Sequence, residues 1–363
     1  MILFLLFLNF SCTSFYNETY KKPDLVDENP SMNLKKVHKK LFYSSKKGVA
    51  IGHQDATSYG VGWKYDENKK TITSDAEQVS GSLPAVYGFD IGHIELNNEY
   101  NLDSVSFNSM RNLIIKAHNQ GGLITVSWHL DNPATAGNSW DKTPAVSKIL
   151  KDEKYKVKYE LWIERVADFF KSLKVNNELV PIIFRPFHEM NGSWFWWGEG
   201  NCSATDYKTL WQETVKLLRD KHNLHNLLYV YSPNKLNPED DYMKYYPGDE
   251  YVDILGIDIY DFNDSEAFAK SVVNDLNIVK SIANKKNKLF AFTETGLEGV
   301  KTQNWFTEIV YPNIENTGAS WILFWRNANK KHHYLPYKGH HNASDFKAFK
   351  EKPKTLFLED LSN

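Results

Sequence analysis

Short apolar runs alternate with longer amphipathic stretches from about residue 38 to residue 350. Each run is nearly continuous in apolarity and rich in β-branched or aromatic residues, which is typical of parallel strands buried on both faces. The eight predicted strands are Gly48–Gln54, Leu83–Asp90, Gly122–Leu130, Val180–Glu189, Leu227–Ser232, Asp253–Tyr260, Lys288–Glu294 and Ala319–Arg326. The predicted helices between them include Phe107–His118, Tyr159–Leu173, Asp206–His222 and Ser265–Ala283. Eight strand-helix units predict an α/β fold, a single (β/α)8 TIM barrel.

Two connections in this pattern are unusually long. They are Asp131–Glu160, which follows the third run, and Asn327–Asp345, which follows the eighth. In a (β/α)8 barrel, the segments that follow strands lie at the carboxyl-terminal face, where functional sites are built. We therefore expect long loops at this face to form the wall of a substrate cleft, and we expect a short helix inside the first of them.

Composition narrows the range of partners. The chain has 363 residues, a formal net charge of -2 and an aromatic fraction of 14%. This charge argues against nucleic acid as a partner, and the aromatic surplus favours a neutral polymer, with core packing as the alternative use of the rings. Cys12 and Cys202 are too few for a disulfide framework. We expect a monomer that needs no cofactor.

The amino-terminus carries a candidate targeting segment. Residues 1–12 form a short apolar run that ends in Cys12 and is too short to span a bilayer. The run resembles a bacterial lipoprotein signal with Cys12 as the lipidated residue, and an uncleaved amino-terminal strand is the alternative. We expect a signal over residues 1–12, a flexible tether over 13–36 and a catalytic barrel over 37–358. The expected location is the outer membrane of the cell envelope, on its surface or periplasmic face, and a secreted soluble protein is the alternative.

Two glutamates carry the predicted chemistry. Glu189 lies beside a histidine and just before a tryptophan-rich segment, at the end of the fourth run, and Glu294 ends the seventh. Strands four and seven oppose each other across a barrel mouth, so these carboxylates can face one glycosidic bond. A retaining mechanism would use Glu294 as nucleophile and Glu189 first as acid and then as base. Aromatic rings beside them suit the apolar faces of pyranose sugars.

Further motifs accompany the glutamates, namely Arg185–Gly192, Trp194–Trp197, Thr293–Glu294, Phe324–Asn327, Pro336–His340 and Asp345–Phe349. Together, these motifs resemble glycoside hydrolase family 26, the β-mannanase family, over about residues 48–350. The resemblance implies that Glu189 is the acid/base and that Glu294 is the nucleophile. It also implies a set of substrate-binding residues: His129, His188, Trp194, Tyr260, Trp325 and Arg326.

The resemblance gives most of these residues individual roles. It implies that His188 bonds the sugar and holds the carboxylate pair, and that Tyr260 donates a hydrogen bond to Glu294. Trp194 is implied as a platform near the glycone side and Trp325 as the floor of the −1 subsite. His129 is implied in the −1 subsite and Arg326 in a distal glycone subsite. Arg185, inside the fourth run, is expected to support the carboxylates by charge pairing, whereas Asp90 and Asp258 are expected to be buried structural residues.

The sequence around His188 and Glu189 does not fit a zinc protease. A zinc protease would need a second histidine where Gly192 stands, so no metal site is expected around His188 and Glu189. The predicted function is retaining hydrolysis of β-1,4-mannosidic bonds in mannan, glucomannan or galactomannan. The alternatives are another β-glycan, such as mixed-linkage β-glucan or β-1,3-xylan, release of mannobiose from a chain end, and a non-catalytic glycan-binding surface lipoprotein.

Overall fold

Eight parallel strands form a closed barrel in the computed structural model, which describes residues 23–68, 72–236 and 239–362. The barrel strands β1 to β8 are Val49–Gln54, Val86–Asp90, Leu123–Trp128, Ile182–Pro186, Leu227–Tyr231, Ile254–Asp261, Leu289–Leu297 and Trp321–Phe324. Each strand pairs with the next one in the chain, and β8 closes the barrel by pairing with β1 from Ala50↔Trp321 to His53↔Phe324. The predicted (β/α)8 barrel is therefore confirmed.

The strands are continuous apolar runs because both of their faces are buried. Every residue of the eight barrel strands is buried except Tyr260, which is partly exposed. One face packs inside the barrel and the other packs against the surrounding helices. A strand that alternated polar and apolar residues would therefore place polar groups in an apolar core. A short strand, Thr355–Leu356, extends the sheet by pairing with the start of β1.

Helices surround the barrel. The α-helices α1 to α10 are Met32–Lys47, Asp75–Ser80, Phe107–Asn119, Val146–Lys151, Glu153–Ser172, Ala204–Lys216, Glu239–Lys244, Ser265–Lys286, Tyr311–Ile314 and Ala343–Lys350. Short 3-10 helices occur at Ile94–Leu96, Asp249–Tyr251, Glu298–Val300 and Leu358–Ser362, and π-helical turns occur at Leu217–Lys221 and Trp305–Val310. Two small hairpins pair Tyr59–Gly60 with Trp63–Lys64 and Lys174–Val175 with Glu178–Leu179.

The segment after β3 differs in detail from the prediction. Helix α4 is the expected short helix within it, but α5 begins at Glu153, six residues before the predicted start at Tyr159. The side chain of Asp152 caps α5 by accepting a hydrogen bond from the backbone N–H of Lys154 at 3.0 Å. The first turn of α5 is exposed and charged, so it lacks the apolar periodicity on which the prediction depended.

Helix α1 closes the amino-terminal end of the barrel and corrects the predicted tether. Its apolar face forms one cluster with the first residues of the barrel strands, in which the helix contributes Leu34, Leu41 and Phe42. Before it, the backbone N–H of Val26 donates to Asp253 at 2.8 Å. Residues 23–36 therefore pack on the barrel and do not form a tether. The sequence pattern did not show this because the many lysines of α1 conceal its apolar stripe. The rest of the predicted tether and the predicted signal ending at Cys12 lie outside the described residues.

Within the part of the chain that the structure describes, none of the helices combines the length and the apolarity needed to cross a bilayer.

Candidate active site

Glu189 lies in a strained turn after β4. The strand ends at Pro186, three residues earlier than predicted, and the chain then passes through Phe187 with φ 47° and Glu189 with φ 55°. Both values fall in the left-handed region, which residues other than glycine seldom adopt and which costs free energy. The backbone N–H of Glu189 donates to the carbonyl of Ser232, next to β5, at 2.7 Å. This contact holds the turn at the carboxyl-terminal mouth of the barrel.

Glu294 is positioned by an irregularity in β7. Along the pairing of β6 with β7, Ile257 opposes Phe292 but Asp258 opposes Glu294, so Thr293 is an extra residue in β7. The Thr293 hydroxyl donates to Asp258 at 2.7 Å. A bulge of this kind changes the direction in which the following side chains point, and bulges are common beside functional sites. The register of β7 therefore decides where the Glu294 carboxylate lies.

Each oxygen of the Glu294 carboxylate receives one hydrogen bond. The Tyr260 hydroxyl donates to Oε1 at 2.5 Å, and the Arg185 guanidinium forms a buried ion pair with Oε2. Arg185 also donates to Asp258 at 2.8 Å. Burial alone would lower the pKa of Arg185, but Asp258 and Glu294 together raise it, so this residue stays a cation. Arg185 thus lies where the charge-pairing prediction placed it.

Asp258 belongs to the same buried network. Burial raises the pKa of its carboxyl to about 7 although Arg185 opposes the change. Its other oxygen accepts from the Ser232 hydroxyl at 2.8 Å. Asp258 is fully buried and both of its carboxylate oxygens accept hydrogen bonds, so it fixes the position of the Arg185 guanidinium.

Glu189 occupies a different environment from Glu294. It accepts hydrogen bonds from Trp194 Nε1 at 2.9 Å and from Asn234 Nδ2 at 3.2 Å, and neither donor is charged. Burial raises the pKa of Glu189 well above its ordinary value, and repulsion from Glu294 and Asp258 adds to this effect. Glu189 can therefore hold a proton near neutral pH, while two donors, one of them a cation, stabilise negative charge on Glu294.

Two histidines border the carboxylates. The rings of His129 and His188 approach each other through their Nε2 atoms at 3.2 Å, and His129 Nδ1 bonds Asp90 at 2.7 Å. Burial disfavours the charged form of His129, but Asp90 outweighs it and raises the pKa of His129. Burial, Arg185 and His129 lower the pKa of His188. Among the described residues, the hydrogen bonds to the two glutamate carboxylates come from other side chains, so His188 lies beside the pair without bonding either carboxylate directly.

Aromatic rings line both sides of the mouth. Trp140, in the loop after β3, stacks on the His129 ring at 5.4 Å and 18°, and the Trp325 ring lies 6.2 Å from His129. On the other side, Phe262 lies 6.3 Å from Tyr260 and is 86% exposed. Rings that stand in solvent beside two carboxylates offer faces on which a sugar can stack.

The other tryptophans of the segment after Glu189 are structural. Trp196 and Trp197 are fully buried, and their indole N–H groups donate to the carbonyls of Leu130 at 3.1 Å and His188 at 2.9 Å. They fix the loop, whereas Trp194 is partly exposed and contacts Glu189.

Arg326 lies apart from the two glutamates, in a cluster beside the ends of β1 and β8. It forms an ion pair with Asp103 at 3.0 Å and donates to the Tyr59 hydroxyl at 3.4 Å. Tyr59 in turn donates to Asp55 at 2.8 Å, and burial followed by repulsion from Asp103 raises the pKa of Asp55 to about 8. The cluster is polar, partly exposed at Arg326, and suited to bonding hydroxyl groups.

Several residues of the site were missed by the sequence analysis. Asn234 follows the fifth run directly, and polarity after a strand end is a signal that could have pointed to it. Asp90 was set aside as structural although it ends the second run, and Trp140 lies in the long loop that was expected to form the cleft wall. Asp103 carries no such signal, because it lies in an ordinary polar turn. Among the described residues, no group of three or more histidine, cysteine, aspartate or glutamate side chains could hold a metal ion.

The fold and the site together define a class. This is a (β/α)8 barrel with two buried glutamates in contrasting environments at a mouth lined by aromatic rings, the arrangement required to cleave glycosidic bonds. Residues 26–321 match the sequence pattern of glycosyl hydrolase family 26, and the chain belongs to this family. The family predicted from the motifs is therefore confirmed.

Relatives place the chain more closely within the family. It is 33% identical, over 94% of its length, to a mannan endo-1,4-beta-mannosidase of Bifidobacterium adolescentis, and 32% identical, over 65%, to one of Bacillus subtilis strain 168. The chain spans 36% of the first relative and 64% of the second.

Solved structures agree with this placement. A GH26 beta-mannanase from Bacteroides ovatus is 42% identical, with a TM-score of 0.85 over 89% of this chain and 94% of that one. A double mutant of a Cellulomonas fimi endo-beta-1,4-mannanase is 31% identical, with a TM-score of 0.83 over 94% of this chain and 78% of that one.

Proposed function

We propose that this protein hydrolyses β-1,4-mannosidic linkages in mannan, glucomannan or galactomannan and retains the anomeric configuration. The observation that carries the proposal is the contrast between the two glutamates. Glu189 has a raised pKa and only neutral donors, whereas Glu294 bonds a guanidinium and a phenol. A retaining glycosidase requires one protonated and one ionised carboxyl group on opposite sides of the scissile bond.

In the first step, the Glu294 carboxylate attacks the anomeric carbon while Glu189 donates its proton to the departing glycosidic oxygen. The products are a shortened chain and a glycosyl ester of Glu294. In the second step, Glu189, now ionised, removes a proton from water, and the oxygen of that water displaces Glu294 from the anomeric carbon. Arg185 and Tyr260 stabilise the charge that Glu294 carries before the first step and regains in the second.

The mannan assignment is supported by the relatives, whose names describe endo-acting mannosidases. An endoglucanase H of Acetivibrio thermocellus, 24% identical over 63% of this chain, favours another β-glycan as the second candidate. Specificity depends on the walls of the cleft, which the catalytic pair does not determine. Release of reducing sugar from mannan, mixed-linkage β-glucan and β-1,3-xylan, measured side by side, distinguishes the candidates. Faster release from either of the last two would refute the mannan assignment.

The roles of the glutamates are tested with Glu189→Ala, Glu294→Ala and, as a control, Glu199→Ala, which changes an exposed carboxylate that pairs with Lys244. We expect both site variants to lose activity on mannan and the control to keep it. Added azide is expected to restore turnover, giving a β-glycosyl azide with Glu189→Ala and an α-glycosyl azide with Glu294→Ala, as judged by NMR of the products. The reverse pattern would exchange the two roles, and full activity in Glu294→Ala would exclude the mechanism.

Two parts of the proposal concern where the enzyme cuts the mannan chain and where the protein is located. The size of the first products from long mannan separates mid-chain cutting from release of mannobiose at a chain end. Turnover on any β-glycan excludes a purely glycan-binding lipoprotein.

The apolar run before Cys12 supports a lipid anchor at the outer membrane. Absence of covalently attached fatty acid, measured by labelling of the full chain with Cys12→Ser as the unlabelled reference, would refute the anchor.

A further inference from the structure

The outward side of α1 forms a basic face at the end of the barrel opposite the two glutamates. Helix α1 leads directly into the start of β1, and its inner side packs on the first residues of the strands, so its outer side points away from the mouth. The helix contains six lysines and no acidic residue in sixteen positions. The whole chain has a formal net charge of -2, so positive charge is concentrated at this end.

The basic face is continuous along the helix. At about 100° per residue, its members fall within an arc of about 120°, and all of them are exposed. They are Met32, Lys35, Lys36, Lys39, Tyr43, Lys46 and Lys47. The two apolar members are unusually exposed, Met32 at 64% and Tyr43 at 53%. A cluster of lysines on one face of a helix is the pattern of a surface that binds anionic lipid headgroups.

A cavity beside the basic face continues the positive charge. It has a volume of about 760 Å³, and its walls contain four lysines (Lys46, Lys280, Lys288 and Lys354) against the single acidic residue Glu315. Burial and then repulsion from Lys280 lower the pKa of Lys46, and both lysines lie in this wall. Pro23, the first described residue, lies in the same wall. The described part of the chain therefore begins beside this face.

We propose that the basic face binds an anionic lipid bilayer. Lysines near such a surface are attracted to its headgroups, while Met32 and Tyr43 can enter the boundary between headgroups and acyl chains. The helix has no arginine, the residue favoured for fork-like bonds to nucleic-acid phosphates, which argues for lipid over nucleic acid. Bound in this way, the barrel directs its mouth away from the membrane. The binding does not depend on the proposed activity or on the proposed lipid at Cys12.

The test compares how the full chain partitions between two vesicles. The protein carries Cys12→Ser, so no lipid is attached, and the vesicles are phosphatidylcholine alone or phosphatidylcholine with phosphatidylglycerol. The measured quantity is the ratio of the two partition coefficients, from which any contribution common to both vesicles cancels. The variant K35E/K36E/K39E/K46E alters the basic face. The matched control K142E/K151E/K154E/K156E makes the same change of net charge on the loop and helices that follow β3.

We expect the unaltered basic face to prefer anionic vesicles, more strongly at low than at high salt. The variant in α1 should lower the ratio by on the order of a thousandfold, and the control should leave it nearly unchanged. K35Q/K36Q/K39Q/K46Q should give a smaller loss, and thermal unfolding checks that each variant is folded. Equal partition into both vesicles, or an equal loss in the α1 variant and the control, overturns the proposal. Release from the vesicles by duplex DNA would identify a general polyanion surface and overturn it too.

Discussion

Replacing Trp194 with phenylalanine separates two roles of this side chain. The resemblance to the family suggested a sugar platform, whereas the structure adds a hydrogen bond from Nε1 to Oε2 of Glu189 at 2.9 Å. Phenylalanine keeps an aromatic face but has no N–H group. A loss of sugar stacking should weaken substrate binding, and a loss of the hydrogen bond should change the protonation of Glu189.

The size of the second effect follows from the hydrogen bond. A buried hydrogen bond to a charged group contributes about 1.5–3 kcal/mol, and a change of 1.36 kcal/mol corresponds to about one pH unit. Burial raises the pKa of Glu189, and the indole opposes this by favouring the anion. Without the indole, the pKa should rise further, by about 1–2 pH units. Because Glu189 must be protonated to act as the acid, activity that is lost as pH rises should then persist to higher pH.

The assay is the pH dependence of kcat/KM for a soluble manno-oligosaccharide, which reports groups of the free enzyme. We expect the alkaline limb for Trp194→Phe to lie about 1–2 pH units above that of the wild type. Trp196→Phe is the control, because its indole is buried and donates to the carbonyl of Leu130 and to no carboxylate. Coincident alkaline limbs, with only KM raised, would refute the hydrogen-bond role and leave Trp194 as a platform.

Two further substitutions test the buried partners of the site. Tyr260→Phe removes the donor to Glu294 and should lower kcat about 10- to 100-fold, because a hydrogen bond to a charged oxygen contributes about 1.5–3 kcal/mol; an unchanged kcat contradicts this. Burial would raise the pKa of Asp90, but His129 and other hydrogen bonds bring it to about 2. This depressed pKa stabilises the fold above about pH 4, by about 2 kcal/mol, and the contribution is lost as pH falls toward 2. Asp90→Asn should flatten this dependence in urea unfolding, and equal slopes would argue against it.

The barrel could be predicted because strands that are buried on both faces appear in the sequence as nearly continuous apolar runs. Strand β5 begins at the predicted Leu227, and β7 begins one residue after the predicted Lys288. Helix α5 was placed less well, since its first turn is exposed and carries no apolar periodicity. Helix α1 was missed for a related reason: its lysines outnumber the apolar residues that pack beneath the barrel.

Residue types and their spacing thus determined, by themselves, the barrel, its family and two glutamates at opposed strand ends. Only the tertiary structure decided how those glutamates differ. The left-handed turn at Glu189 and the extra residue Thr293 direct the two carboxylates, and their donors come from distant segments; Arg185 and Glu294 are 109 positions apart. Desolvation, repulsion and hydrogen bonding depend on distances between such segments, and a linear pattern does not contain those distances. The basic face likewise exists only because α1 buries its other side.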